Sequence, residues 1–372
     1  MEYTTIISCP RCSKTVTVKK KSRSIYCSTC KSLVSLPDDC EQQLIQAPRP
    51  QQQQQRRHHI RCSVAHLINK MQGISISRDY SSTSAESLNF PVEFPLGRRS
   101  KKRAVLCGVS YKNWKYNLKG TVNDVKNIRD LLMSKYGYPK EYIRVLTEEE
   151  PDPRYIPAKA NILSSLIWLV GDNKPGDSLV FFYSGHGLQQ PDFENDEHDG
   201  LDETICPSDF WKEGMIVDND LNSILVYPLK NDVKLHAIFD SCHSGTILDL
   251  PHMYDRKKKR WIDNKPPSGD YKGTVGGLAI TISACTDGEK ASDSTAFTGK
   301  MNGALTYPLV DLLKKFPGPT YGDLFDLIED TFYKVNYQGG NILKKMFSSK
   351  LSQTPLLSSS EEFDPYKMHI EL

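Results

Sequence analysis

The chain has 372 residues, 38 % of them hydrophobic and 25 % charged, with a formal net charge of +3. That supplies enough apolar residues for a globular core, while the small net charge singles out no class of partner for the whole chain. No apolar stretch approaches the roughly 20 residues of a membrane helix, and the first residues lack the basic-then-apolar order of a secretory signal. The expectation is a protein of the cytosol or nucleus with no membrane contact. In a reducing compartment its ten cysteines point to metal binding, reactivity or core packing rather than a disulfide framework.

Residues 1–36 form a short unit carrying two C-x-x-C pairs, Cys9 with Cys12 and Cys27 with Cys30, separated by 14 residues. Four thiolates in tetrahedral array suit a structural zinc ion, and so short a unit needs such a metal to fold. A redox C-x-x-C would need a strand and helix around it, and neither is apparent. Lys19, Lys20, Lys21 and Arg23 lie between the two pairs. With only Tyr26 as an aromatic neighbour, they favour contact with a protein or autoinhibition over nucleic acid. Residues 37–97, rich in Gln, Ser, Pro and Arg and including the run Gln51 to Gln55, cannot bury enough apolar surface to offset their ordering entropy. They read as a disordered linker.

From about residue 98 the pattern is α/β. An apolar run at 103–109 follows basic residues, as a buried strand would. Val122, Val125, Ile128, Leu131 and Leu132 recur at helical spacing within 120–136, and Gly137 stands where a helix-closing glycine belongs. Strand, helix and strand follow at 142–146, 158–170 and 178–183. Further strands read at 234–239 and 278–282, and helices at 304–315 and 321–335. Strands that are apolar throughout and alternate with helices imply a mostly parallel sheet covered on both faces. In such sheets the active site lies beyond the carboxyl ends of the strands.

Two of those ends are chemically loaded. The 178–183 strand runs into Ser184-Gly185-His186-Gly187, and the 234–239 strand into Asp240-Ser241-Cys242-His243-Ser244-Gly245. A thiol is only a few per cent ionised at neutral pH, so catalysis needs a proton acceptor that later protonates the leaving amine. Cys242 is the expected nucleophile and His186 its base, with the backbone N–H groups of Gly187 and Cys242 as donors to an oxyanion. His243 follows the nucleophile directly and would point away. Asp124 and Asp240, both on the expected active face, would favour a cationic side chain before the cleaved bond. Each also has a plain structural reading, Asp124 as a carboxylate at a helix N-terminus and Asp240 as one held by backbone N–H groups. Arg256, Lys257, Lys258, Lys259 and Arg260 lie between the Cys turn and the next strand. For a peptidase cutting after basic residues this is a substrate within its own chain; otherwise it reads as a nuclear-localisation-like run. Acids cluster between the two turns, from Asp192 to Glu203, with Asp218, Asp220 and Asp249 beyond, and calcium takes six to eight oxygen ligands of this kind.

The paired motifs Tyr183-Ser-Gly-His-Gly187 and Asp240-Ser-Cys-His-Ser-Gly245 resemble those of the plant type I metacaspases, within the caspase-like cysteine peptidase clan, over roughly residues 98–372. The resemblance implies a caspase-like, mostly parallel sheet flanked by helices. Its large-subunit part would span about 98–255, a cleavable loop about 250–277 and a small-subunit part about 278–372. It implies cleavage after Arg or Lys, with Ser184 and Thr121 joining Asp124 and Asp240 in the substrate pocket; some relatives carry Cys where Thr121 stands. It implies calcium activation with ligands at Asp202, Asp218, Asn219 and Asp249, relatives commonly having Asp at the third position. It further implies a self-processing, monomeric zymogen acting in programmed cell death or stress, with protein substrates and a zinc ribbon resembling those of plant cell-death regulators. The competing expectation is a catalytically silent scaffold that recruits a partner through the ribbon, which the intact His186 and Cys242 disfavour.

Overall fold

The computed structural model describes residues 99–112, 114–194, 196–284, 305–333 and 355–372, with short backbone segments elsewhere. The chain divides into two compact units, Met1–Gln55 and Arg56–Leu372. In the first, β1 (Thr4–Ser8) pairs antiparallel with β2 (Thr15–Lys19), and β3 (Ser24–Tyr26) with β4 (Leu33–Ser35). One C-x-x-C pair falls in sequence between the strands of each hairpin. The four cysteines and the 37–97 stretch lie outside the described residues.

The second unit is built on an eight-stranded sheet. Its parallel part contains β5 (Lys102–Gly108), β6 (Ile143–Thr147), β7 (Ser178–Ser184), β11 (Lys234–Asp240) and β14 (Leu278–Ser283). β8 (Gly187–Pro191), β9 (Leu201–Ile205) and β10 (Ile216–Val217) form a separate antiparallel sheet after β7. β12 (His252–Asp255) and β13 (Arg260–Asp263) form a hairpin, β15 (Asp293–Ser294) pairs with β16 (Asn302–Gly303), and β17 is Leu356–Ser359. The main sheet runs β13-β12-β17-β14-β11-β7-β5-β6.

The central strands are apolar on both faces because helices cover both. Ala104, Leu106, Val180, Phe182, Ile238, Ile280 and Ile282 share one core with α1 (Thr121–Ser134), α5 (Thr306–Lys315) and α6 (Tyr321–Tyr333). The alternate residues Val105, Phe181 and Phe239 are equally buried and point to the opposite face, by the two-residue period of a strand. Their partner is α2 (Lys159–Val170), hydrophobic along most of its length and carrying the fully buried Trp168. α1 closes near its expected glycine: Gly137 takes the left-handed φ of +67° and the Tyr138 N–H reaches back to the Leu132 carbonyl at 3.0 Å. α2 ends differently. Gly171 stays at negative φ and Asp172 takes the left-handed position.

The expected cleavable loop at about 250–277 is partly regular. Most of its first half is the β12–β13 hairpin at the outer edge of the sheet, and the basic run lies at the turn of that hairpin. Arg256 is moreover tied to α6, its Nη2 2.7 Å from both Asp326 and Glu329. Lys257, Lys258, Lys259 and Arg260 are exposed.

Candidate active site

β7 and β11 are parallel, hydrogen-bonded neighbours, with Ser184 opposite Asp240. Both strands therefore deliver their following turns to the same end of the sheet, and His186 and Cys242 each stand two residues past that register. The closeness of the turns is visible in the backbone: a side chain at Gly187 would collide with the Cys242 carbonyl oxygen, so only glycine permits the approach. The two residues expected to donate to an oxyanion thus lie side by side. Directly after the nucleophile, His243 takes φ +46°, a left-handed conformation that turns the chain sharply.

The His186 ring has a partner that no side-chain pattern reveals. Its Nε2 lies 2.7 Å from the backbone oxygen of Tyr116. A carbonyl only accepts, so Nε2 carries the proton and Nδ1 is left as the basic nitrogen. The ring also stacks on Tyr111, centroids 4.6 Å apart. The Tyr111 hydroxyl accepts from the His186 N–H at 3.0 Å and donates to the Cys206 carbonyl at 2.6 Å, while the Tyr183 hydroxyl donates to the His186 carbonyl at 2.9 Å. Burial pushes both phenols well above their ordinary pKa, so they stay protonated and able to donate. Among the described residues Cys107, Cys206 and Cys242 are outside any disulfide, and of these only Cys242 is partly exposed. Burial pushes the Cys107 and Cys206 thiols far up and keeps them inert, so of these three Cys242 is the candidate nucleophile.

The four expected pocket residues converge at the same strand ends. Ser184 stands between Gly108 and Asp240 across the sheet, and its hydroxyl donates to Asp124 Oδ2 at 3.0 Å. Thr121, which opens α1, is 1 % exposed and its hydroxyl has no hydrogen-bond partner among the described residues. Asp240 Oδ2 accepts from the N–H and hydroxyl of Thr306 at 2.7 and 2.6 Å, so this carboxylate also fastens the start of α5.

The four expected calcium ligands are all buried, but their three carboxylates do not make one close cluster among the described residues. Asp202, Asp218, Asn219 and Asp249 are 1, 0, 3 and 5 % exposed. Asp202 comes from β9, Asp218 and Asn219 from α4 (Asp218–Leu221), and Asp249 from the turn after Cys242. Burial, then the charges of Asp249, Asp202 and Glu203, pushes Asp218 well above the usual carboxylate range. Burial and the Asp249 and Glu203 charges push Glu197 up to about 10. So many buried carboxyl oxygens in one neighbourhood suit a hard cation. A cation is in fact present in covalent form: the Lys272 ammonium is 2.7 Å from Asp249 Oδ2 and 2.6 Å from Asp196 Oδ2 and is also bonded to Asn219 Oδ1. Asp196, Glu197 and Lys272 were not among the expected ligands. Carboxylate oxygens of Asp192, Asp196 and Asp202, and of Asp196, Glu197 and Asp249, come within 4.8 Å of one another.

Residues 102–251 match the family model described as "Metacaspase, peptidase C14 domain". The chain is 45 % identical to metacaspase-3 of Arabidopsis thaliana over 284 residues, covering 74 % of this chain and 76 % of that one. It is 36 % identical to metacaspase-1 of the same plant over 92 and 94 % of the two chains. Identity to metacaspase-1A of Aspergillus oryzae is 35 % over 70 and 68 %. With a family match spanning both strand tips and plant relatives aligned over most of their length, the chain belongs to the metacaspases and is a cysteine peptidase of the caspase-like fold.

Proposed function

We propose that this metacaspase is a calcium-dependent endopeptidase that cuts after Arg or Lys and is made as a self-processing zymogen, in the programmed cell death or stress setting its family resemblance implies. The observation that carries the specificity is the meeting of Asp124, Ser184, Asp240 and the unpartnered Thr121 hydroxyl beside the Cys242 turn. Two buried carboxylates there offer charge and acceptors to a guanidinium or ammonium and repel an acidic side chain.

In the reaction His186 Nδ1 takes the Cys242 thiol proton, and the resulting thiolate attacks the scissile carbonyl carbon. The Nε2–H bond to Tyr116 O holds the tautomer that makes this possible and stabilises the imidazolium once formed. The N–H groups of Gly187 and Cys242 receive the developing oxyanion. Collapse expels the amine, protonated by His186, and leaves an acyl-enzyme thioester. Water, deprotonated by the same imidazole, then releases the acid and restores the thiol. Asp202, Asp218, Asn219 and Asp249 would hold calcium, whose charge would tie the turn after the nucleophile to β9 and α4.

What supports the zinc ribbon is that each C-x-x-C pair falls, in sequence, between two strands that pair, and the ribbon serves in this reading to recruit a protein partner. Among the described residues no helix is long and apolar enough to cross a membrane, in keeping with action in the cytosol or nucleus.

A fluorogenic peptide series differing only in the residue before the bond tests the reading. Arg and Lys peptides should turn over in a calcium-dependent way, the Asp peptide should not, and Cys242→Ala should abolish turnover by at least about a thousandfold. Equal rates on Arg and Asp peptides would remove the specificity assignment. Full activity in a strong calcium chelator would remove the metal.

A further inference from the structure

Lys272 lies on the connection between β13 and β14, where exposed and buried residues mix: Tyr271 is 70 % and Val275 55 % exposed, while Lys272 and Thr274 are each 8 % exposed. Its side chain passes inward and ends among oxygens. An ammonium has three N–H donors and no acceptor, and this one meets three acceptors, Asp196 Oδ2, Asp249 Oδ2 and Asn219 Oδ1. Its main chain is fixed from the same wall. Asn222 Nδ2 donates to the Lys272 carbonyl at 2.9 Å and to the Leu248 carbonyl at 2.8 Å. Asn222 opens a π-helical turn, Asn222–Val226, continuing directly from α4, so one short segment presents Asn219 to the ammonium and grips the backbone that carries it.

Two of the oxygens at the ammonium, from Asn219 and Asp249, belong to residues placed in the calcium site by the proposed function, on which this inference rests. Calcium binds oxygen at about 2.3–2.6 Å. An ion at that distance from oxygens already 2.6–2.7 Å from a charged nitrogen would stand against it as a like charge, with no water between to screen the pair. The two cations therefore compete for those oxygens.

We propose that Lys272 is a tethered occupant of the cation pocket formed by Asp196, Asn219 and Asp249, and that a divalent cation enters only by displacing its ammonium. Displacement withdraws one inward anchor of the 264–277 segment, so metal binding and the seating of the Lys272 side chain exclude each other and the segment loosens around residue 272. The metal-free pocket is thereby kept folded by an internal charge, and apparent affinity for the metal is lowered by the fraction of molecules in which the lysine is seated.

The test uses the full chain carrying Cys242→Ala, which cannot cut itself. Trypsin digestion read by mass spectrometry should leave the bond after Lys272 protected without calcium and open it at least about tenfold faster with calcium, while cleavage after exposed Lys257 serves as the internal reference. Calorimetry should show calcium binding at least about tenfold tighter when Lys272→Met is added. Metal-free Lys272→Met should melt about 5–10 °C lower, with calcium restoring the loss. If calcium binds but Lys272 stays protected, the metal sits beside the lysine and the proposal is overturned, with calcium activation left intact. If neither protein takes up calcium, the calcium reading itself fails and this inference falls with it. Should Lys272→Met not fold, the protease comparison on Cys242→Ala alone still decides between displacement and coexistence.

Discussion

His186 is held on three sides: Tyr111 beneath its ring and at its N–H, Tyr183 at its carbonyl, and the Tyr116 oxygen at Nε2. Only the last bears on the proton, while the tyrosines fix where the ring stands. Tyr111→Phe keeps the stacking face and removes one hydroxyl that joins His186 N–H to the Cys206 carbonyl. We expect kcat to fall about 10–100-fold with KM nearly unchanged, and unfolding free energy in urea to drop by about 1–3 kcal/mol, the cost of leaving buried partners unmet. An unchanged kcat beside lowered stability would make Tyr111 structural only. His186 and Cys242 are legible in the sequence because each ends an apolar run in a glycine-bearing turn. Tyr116 is not, since it acts through a backbone atom that every residue possesses. Lys272 is equally hidden, because nothing in its Pro- and Gly-rich neighbourhood distinguishes it from a solvated lysine.

The parallel strands are the part of the fold most clearly written in the sequence, since burial on both faces leaves uninterrupted apolar runs such as Val180 to Tyr183. The missing elements are of the opposite kind. β8, β9, β12, β13 and β17 are short, mixed in polarity and antiparallel, and β17 pairs with β12 and β14 from far along the chain. No local period announces such strands. Between elements, β11 and α6 meet through a buried polar pair: His236 Nε2 lies 2.5 Å from the Tyr321 hydroxyl. Burial, reinforced by the Lys234 charge, pushes His236 down to about 4 from the ordinary 6.5. The unfolded chain therefore takes up a proton at a pH where the folded one does not. The His236 contribution is complete above about pH 6.5 and is lost as pH falls toward 4, up to about 3 kcal/mol. Urea unfolding at pH 7.5 and 5 should show this loss in the parent and a smaller one in His236→Gln; equal losses would show that the acid sensitivity lies elsewhere.

For the molecule as a whole, the placement of the basic turn sets what a cut would do. A break after Lys258 would leave β12 on the amino-terminal piece and β13, β14 and β17 on the other. In the sheet these alternate: β12 stands between β13 and β17, and β14 lies against β11. A nicked chain should run as two bands on a denaturing gel and as one species in gel filtration without denaturant, and pieces that separate natively would contradict the strand order. Proteolysis here would thus rewrite the molecule's connectivity while leaving the two halves threaded through each other, like the fingers of clasped hands. Maturation of that sort could be irreversible in covalent terms without any subunit ever having to find its partner.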